Sequence, residues 1–214
     1  VSSFDEKYLK FQSPNPKTSI KTSSIGFLIE EEIKAEFVKE EKRIIFFGSL
    51  SYEPNLSAIF WLYKKVLPIV WRLDTDIRLY IAGSNPPKKL KKITEKDKNI
   101  FLISNPVCMS KCIQESLVSV APLISGSGQQ FKIIEAMANK VPVITTSKAA
   151  IPFGFINKKD LIIEDDPNNF AKEIVNLCNN QKLIEKLRMN AFKTIKDKFS
   201  WEVIIKKLIN EIYK

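Results

Sequence analysis

Two ionisable side chains, Lys132 and Glu135, follow closely on a glycine pair, Gly126 and Gly128, in the stretch A-P-L-I-S-G-S-G-Q-Q-F-K-I-I-E-A-M-A-N-K-V-P-V-I-T-T. These residue types in this order suit a bound phosphate or another anion. Glycine tolerates positive φ and lets a ligand approach the backbone closely. The run from Phe131 to Ala138 reads as a short helix, and a helix start offers unpaired N–H groups at a positive dipole end. Backbone donors at Ser127, Gly128 and Gln129 would then cradle the anion, with the Lys132 ammonium beside them. Lys132 and Glu135 are three residues apart and so share one helix face.

The flanking elements read as strands and helices in alternation. R-I-I-F-F-G-S-L is a buried strand running into a turn at Gly48. Pro54 then leads an amphipathic helix from about Asn55 to Leu73, whose Ile59, Phe60, Tyr63, Val66, Ile69 and Val70 recur at core spacing. Trp61 and Trp71 read as packing residues. Further strands are expected at 77–83, 99–104, 119–123, 141–146 and 160–164. A short basic helix covers K-K-L-K-K-I-T-E-K, and A-A-I-P-F-G-F reads as a loop. Asp166 before Pro167 is a helix cap, a second helix spans about Gln181 to Phe199, and Ser200 caps a third. A strand, a glycine loop, a helix and a strand make up a nucleotide-binding crevice. The whole pattern predicts an α/β fold with a doubly wound parallel sheet and a helical C-terminal tail.

Composition narrows the chemistry further. The 214 residues contain no histidine, which removes a histidine general base and any histidine metal ligand from this chain. Three cysteines, Cys108, Cys112 and Cys178, are too few for a disulfide framework and fit a reducing cytoplasm. Cys108 and Cys112 are four apart with no further metal-type ligands nearby. No apolar run approaches the roughly 20 residues of a membrane span. The net charge of +10 comes from lysines scattered over helix faces. It reads first as a solvated surface and next as suited to peripheral contact with an anionic membrane or substrate. Basic-plus-aromatic signatures of RNA binding are absent, so no nucleic-acid partner is expected.

The stretch G-S-G-Q-Q-F-K-I-I-E-A-M-A-N-K-V-P-V-I resembles the G-x-G-x-x-x-K-x-x-E-A-M-A-x-x-x-P-V-V signature of the group 1 glycosyltransferases. These are retaining, nucleotide-sugar-dependent enzymes with two Rossmann-like domains, the glycosyltransferase B fold. The match rests on Gly126, Gly128, Lys132, Glu135, Ala136, Met137, Ala138, Pro142 and Val143 in register. V-S-S-F-D-E-K-Y-L and S-I-G-F resemble the pieces that close the first domain and cross to the second. Residues 1–42 are therefore expected to be the end of a missing N-terminal domain plus a linker, and 43–214 the nucleotide-sugar donor domain.

The resemblance implies roles residue by residue. Lys132 and backbone donors at Ser127 to Gln129 would stabilise the leaving diphosphate without a metal. Glu135, an acceptor-only carboxylate, would hold paired ribose hydroxyls. Gly48, Ser49 and Asn55 would line the nucleotide crevice, and Val107 and Cys108 would approach the base. No cofactor is implied beyond the substrate itself, a UDP- or GDP-linked sugar. Catalysis in such folds occurs between two domains, so this chain alone is expected to be an inactive donor-binding half, cytoplasmic or at the inner face of the membrane. Two departures stand out. The loop S-L-S-Y-E has no basic residue for the diphosphate, and Ser127 occupies the place where many relatives carry a sugar-contacting glutamate. A catalytically silent nucleotide-binding domain and a basic interaction module remain open, as do an ion pair from Lys132 to a surface carboxylate and a bracing role for Glu135.

Overall fold

The structure, a computed structural model, describes residues 3–13, 15, 20, 23, 25–29, 41–126 and 130–213. Six strands form one parallel sheet: β1 (Lys42–Phe47), β2 (Ile77–Gly83), β3 (Ile100–Ser104), β4 (Val118–Ala121), β5 (Val143–Thr145) and β6 (Ile162–Ile163). Their spatial order is β3-β2-β1-β4-β5-β6, and every pairing is parallel. The chain thus runs outward from β1 to β3, returns to the middle, and runs outward again from β4. The doubly wound expectation holds, with helices on both faces. β1 is almost wholly buried, as K-R-I-I-F-F requires of a central strand covered on both sides.

The chain starts with α1 (Ser3–Gln12), on the segment read as a helix entry. S-I-K-T-S-S-I-G-F, residues 19–27, reads as a short strand and turn; its described part forms a bridge from Phe27 to Ser200. The proline-containing loop at 13–17 and the charged segment from 30 to 40 fall largely outside the described residues.

The long helix expected from Asn55 to Leu73 is three pieces. α2 (Glu53–Trp61) begins two residues earlier, a π turn occupies Leu62–Val66, and α3 (Leu67–Leu73) completes it. Pro68 explains the break: it has no N–H to donate and its ring crowds the preceding turn, so the helix widens before it. The apolar face stays in register, with Ile59, Val66 and Val70 fully buried. Trp61 meets Phe170 edge-on at 5.4 Å, and Trp71 donates from Nε1 to the Ile77 carbonyl at 3.0 Å.

α4 (Lys88–Lys96) is the basic helix read from the sequence. α5 (Met109–Gln114) begins within N-P-V-C-M-S, residues 105–110, which reads as a loop; six residues give too little periodicity to reveal the helix. α6 (Phe131–Ala138) has the expected bounds. It ends in a Schellman motif, in which Lys140 N–H reaches Met137 O and Val141 N–H reaches Ala136 O, both at 3.0 Å. The A-A-I-P-F-G-F segment is not simple loop. It contains the end of α7 (Ser147–Ala150) and a 3-10 turn that stops at Gly154, whose φ is 63°. α8 (Pro167–Asn179) starts on Asp166, whose carboxylate accepts from Asn168 N–H at 2.9 Å and Asn169 N–H at 3.0 Å. α9 (Gln181–Phe199) and α10 (Trp201–Ile212) close the chain. No helix among the described residues is long and apolar enough to cross a membrane.

Candidate functional site

The order of a doubly wound sheet reverses between β1 and β4, and the crevice beyond their carboxyl ends is where such folds bind ligands. Three chain segments converge there. β1 delivers Phe46 and the turn at Gly48, α2 delivers Asn55 from its first turn, and α6 delivers Lys132 from its first turn.

Asn55 is the brace. It is only 4% exposed, and both ends of its amide are engaged. Nδ2 donates to the Ser49 carbonyl at 2.7 Å, and Oδ1 accepts from Lys132 Nζ at 2.5 Å. The Lys132 amine also lies over the Phe46 ring, 4.4 Å from its centroid. It has no ion pair among the described residues. A cation so placed is short of solvent. Burial pushes its pKa from the usual lysine value down to about 7, against the attraction of Glu135. Glu135, half-buried one turn along, has its carboxyl pKa raised by burial, with Lys132 pulling it the other way. The two groups therefore hold each other's charge in a site that disfavours both.

Two glycines shape the floor. At Gly48 φ is 137°, a conformation L side chains rarely adopt, and a Cβ there would come within 3.2 Å of Asn55 Nδ2 and 3.3 Å of Lys132 Nζ. A Cβ on Gly83 would fall 1.8 Å from the Gly48 carbonyl oxygen. The turn after β1 is thus pressed against the end of β2, and Gly48 N–H to Ala82 O at 3.0 Å fastens it. Gly83 was not singled out from the sequence. A glycine closing a strand is the available signal, because it marks close approach of another backbone.

The other wall comes from β4. Gly126, with φ 92°, faces the start of α2; a Cβ there would sit 3.2 Å from Pro54 Cβ and 3.8 Å from the Tyr52 hydroxyl. Ser127, Gly128 and Gln129 lie outside the described residues. Ser49 is exposed at the rim, its hydroxyl 3.3 Å from that of Ser51. Gly48, Ser49, Asn55 and Lys132 are therefore brought together, with Gly126 against the same helix start. Val107 and Cys108 are not part of this cluster. They are exposed on the loop after β3, the far edge strand, at the same end of the sheet. Phe46 was read only as core, yet it carries the amine on its ring face. Among the described residues no group of three or more Cys, Asp or Glu gathers to hold a metal.

This arrangement, a buried amine and a carboxylate beside a glycine turn at the switch point, sits in a Rossmann-like α/β domain. The profile of the glycosyl transferases group 1 family matches residues 41–180, and the chain belongs to that family. It is 30% identical over 153 residues to the poly(ribitol-phosphate) alpha-N-acetylglucosaminyltransferase of Staphylococcus aureus (strain COL), covering 68% of this chain and 31% of that protein. In fold it is similar to S. aureus TarM in complex with Fondaparinux, alpha-GlcNAc-glycerol and UDP, with a TM-score of 0.80, 24% identity, and coverage of 98% of this chain and 42% of that one. It is also similar to the pneumococcal O-GlcNAc transferase GtfA in complex with UDP and GlcNAc, with a TM-score of 0.72, 17% identity, and coverage of 100% and 44%. The chain thus spans less than half the length of each of these relatives.

Proposed function

We propose that this chain binds the nucleotide-sugar donor of a retaining glycosyltransferase, with a UDP-linked sugar as the donor. The observation that carries the reading is the Lys132 amine, held at the switch point by Asn55 and Phe46 with Glu135 one turn away. A diphosphate leaving group gains negative charge as the sugar departs. An amine already positioned in a water-poor crevice stabilises that charge without reorganisation. Lys132 would exchange the Asn55 oxygen for a phosphate oxygen and take up a proton as it does so. The glycine turn at Gly126 and the first turn of α6 supply N–H donors, and Glu135 accepts from the ribose hydroxyls. No cofactor or metal is needed for these steps.

UDP is favoured over GDP because UDP is the nucleotide named with both solved neighbours above. An α-linked product, as in the name of the S. aureus relative, formed from an α-linked donor is a retained configuration. The acceptor site and the rest of the catalytic apparatus are assigned to a further domain. The chain alone therefore binds the donor without turnover.

Calorimetric titration with UDP, GDP and ADP tests the reading, repeated on Glu135→Ala. Saturable binding of UDP, weakened at least about tenfold by the substitution, is expected. Equal binding of all three nucleotides, or no effect of Glu135→Ala, would sink it.

A further inference from the structure

Two threonines at and just past the end of β5 are left without a role by the donor-binding reading. Thr145 closes β5 and Thr146 precedes α7; they are 0% and 3% exposed. Both hydroxyls reach across to the β4 segment. Thr145 Oγ1 donates to the Ala121 carbonyl at 2.7 Å, and Thr146 Oγ1 donates to the Leu123 carbonyl at 2.7 Å. Ala121 is the last residue of β4, so Leu123 lies beyond the end of the sheet. The Thr145 hydroxyl therefore reinforces the last ladder pair, Ala121 with Thr145, and the Thr146 hydroxyl continues the β4–β5 seam past it.

The threonines are themselves held from the other side. Glu164 N–H donates to the Thr145 carbonyl at 2.9 Å, and Asp165 Oδ1 accepts from Ser147 N–H at 2.9 Å. Leu123 is 1% exposed, and among the described residues its carbonyl has no ladder partner to replace the Thr146 hydroxyl. An acceptor buried there without a donor would bear its full desolvation penalty. Three residues further on, Gly126 turns with φ 92° against Pro54.

We propose that Thr146, backed by Thr145, is a positioning residue for the phosphate side of the site. Its hydroxyl fixes the path of residues 123–126 out of β4, and through them the place at which the glycine turn meets the donor's diphosphate. This rests on the donor-binding reading above. Thr146 touches no substrate; it acts through the backbone of Leu123.

Thr146→Val removes the hydroxyl at nearly constant volume, and Thr146→Ser keeps it. Amide exchange of the free chain gives a readout that needs no ligand. Thr146→Val is expected to speed exchange at residues 123–126 about tenfold, leave the amides of β1 and β2 unchanged, and be reversed by Thr146→Ser. With ligand, the variant is expected to lose about tenfold in affinity for UDP and none for uridine, which lacks phosphate. Unchanged exchange at 123–126, or a uniform increase across the sheet, overturns the proposal whatever the wild type binds. Equal losses for UDP and uridine also overturn it. Selective loosening in a chain whose wild type binds no UDP would instead refute the donor reading and leave the anchor as a purely structural one.

Discussion

Raising the pH from 7 to 9 probes the Lys132 site in the free chain, without any ligand. Burial lowers the pKa of this amine from 10.5 to about 7. Between those values the unfolded chain holds a proton that the folded chain has released, so stability must rise with pH across the window. A single such group is worth at most about 1.4 kcal/mol per pH unit. Lys132 keeps some exposure and Glu135 opposes the shift, so about 2 kcal/mol over the two units is a fair expectation. Other shifted groups act at the edges of the window. The carboxyl of Glu135 is raised from 4.5 and works on the acid side. Burial pushes the Cys178 thiol from 9.0 up to about 12 and also raises the Cys112 thiol, so both begin to oppose the gain as pH approaches 9, where the unfolded thiols ionise. Urea unfolding followed by tryptophan fluorescence at pH 7, 8 and 9 measures the effect. The wild type should gain up to about 2 kcal/mol, whereas Lys132→Met should show no gain and exceed the wild type at pH 7. A wild type whose stability is flat or falls, or a variant with the same slope, would refute the placement of an uncharged amine on Phe46.

Three further outcomes follow from packing, capping and charge pairing. Gly83→Ala places a carbon 1.8 Å from the Gly48 carbonyl oxygen; it should cost about 3 kcal/mol or more and displace the Asn55–Lys132 pair, read by thermal unfolding. Asp166→Ala leaves the N–H groups of Asn168 and Asn169 without their acceptor and should cost about 1 kcal/mol, with Asp166→Asn close to neutral in the same denaturation assay. Arg43 lies over the Tyr80 ring at 3.8 Å and pairs with Glu115 at 2.9 Å, while its Nε and Nη2 have no hydrogen-bond partner among the described residues. Glu115→Gln should therefore cost about 1–2 kcal/mol, whereas Arg43→Met should stay within about 1 kcal/mol of wild type in urea unfolding.

Long periodic segments were readable because their burial is one-sided and their caps are local. α6, α8 and α9 fall where the periodicity, the Asp166 cap and the bounding residues put them. The parallel sheet followed from strands alternating with helices. α2 and α3 were merged because the apolar spacing carries through Pro68, and only the missing N–H forces the π turn between them. α5 and α7 escaped notice because helices of six and four residues leave almost no pattern. At the site, the spacing of Lys132 and Glu135 was legible, whereas the partnership of Lys132 with Asn55 was not. That bond joins residues 77 apart in sequence, and no local signal reports which side chains a sheet will bring face to face. Gly83 and Phe46 are hidden for the same reason.

The unequal strand lengths carry a consequence for how the molecule comes into being. β1, β2 and β3 have six, seven and five residues, whereas β4, β5 and β6 have four, three and two. The long half is also the first to leave the ribosome, and its pairings join strands adjacent in the chain. It can zip early, with modest loop closure. β4 must then find β1 across the intervening crossovers, a pairing whose register covers only Ile44 with Val118 and Ile45 with Ser119. The seam between the halves is both a late joint, made only after the first three strands are out, and the line on which the crevice opens. Chain synthesis thus finishes the scaffold before the ligand-binding edge exists.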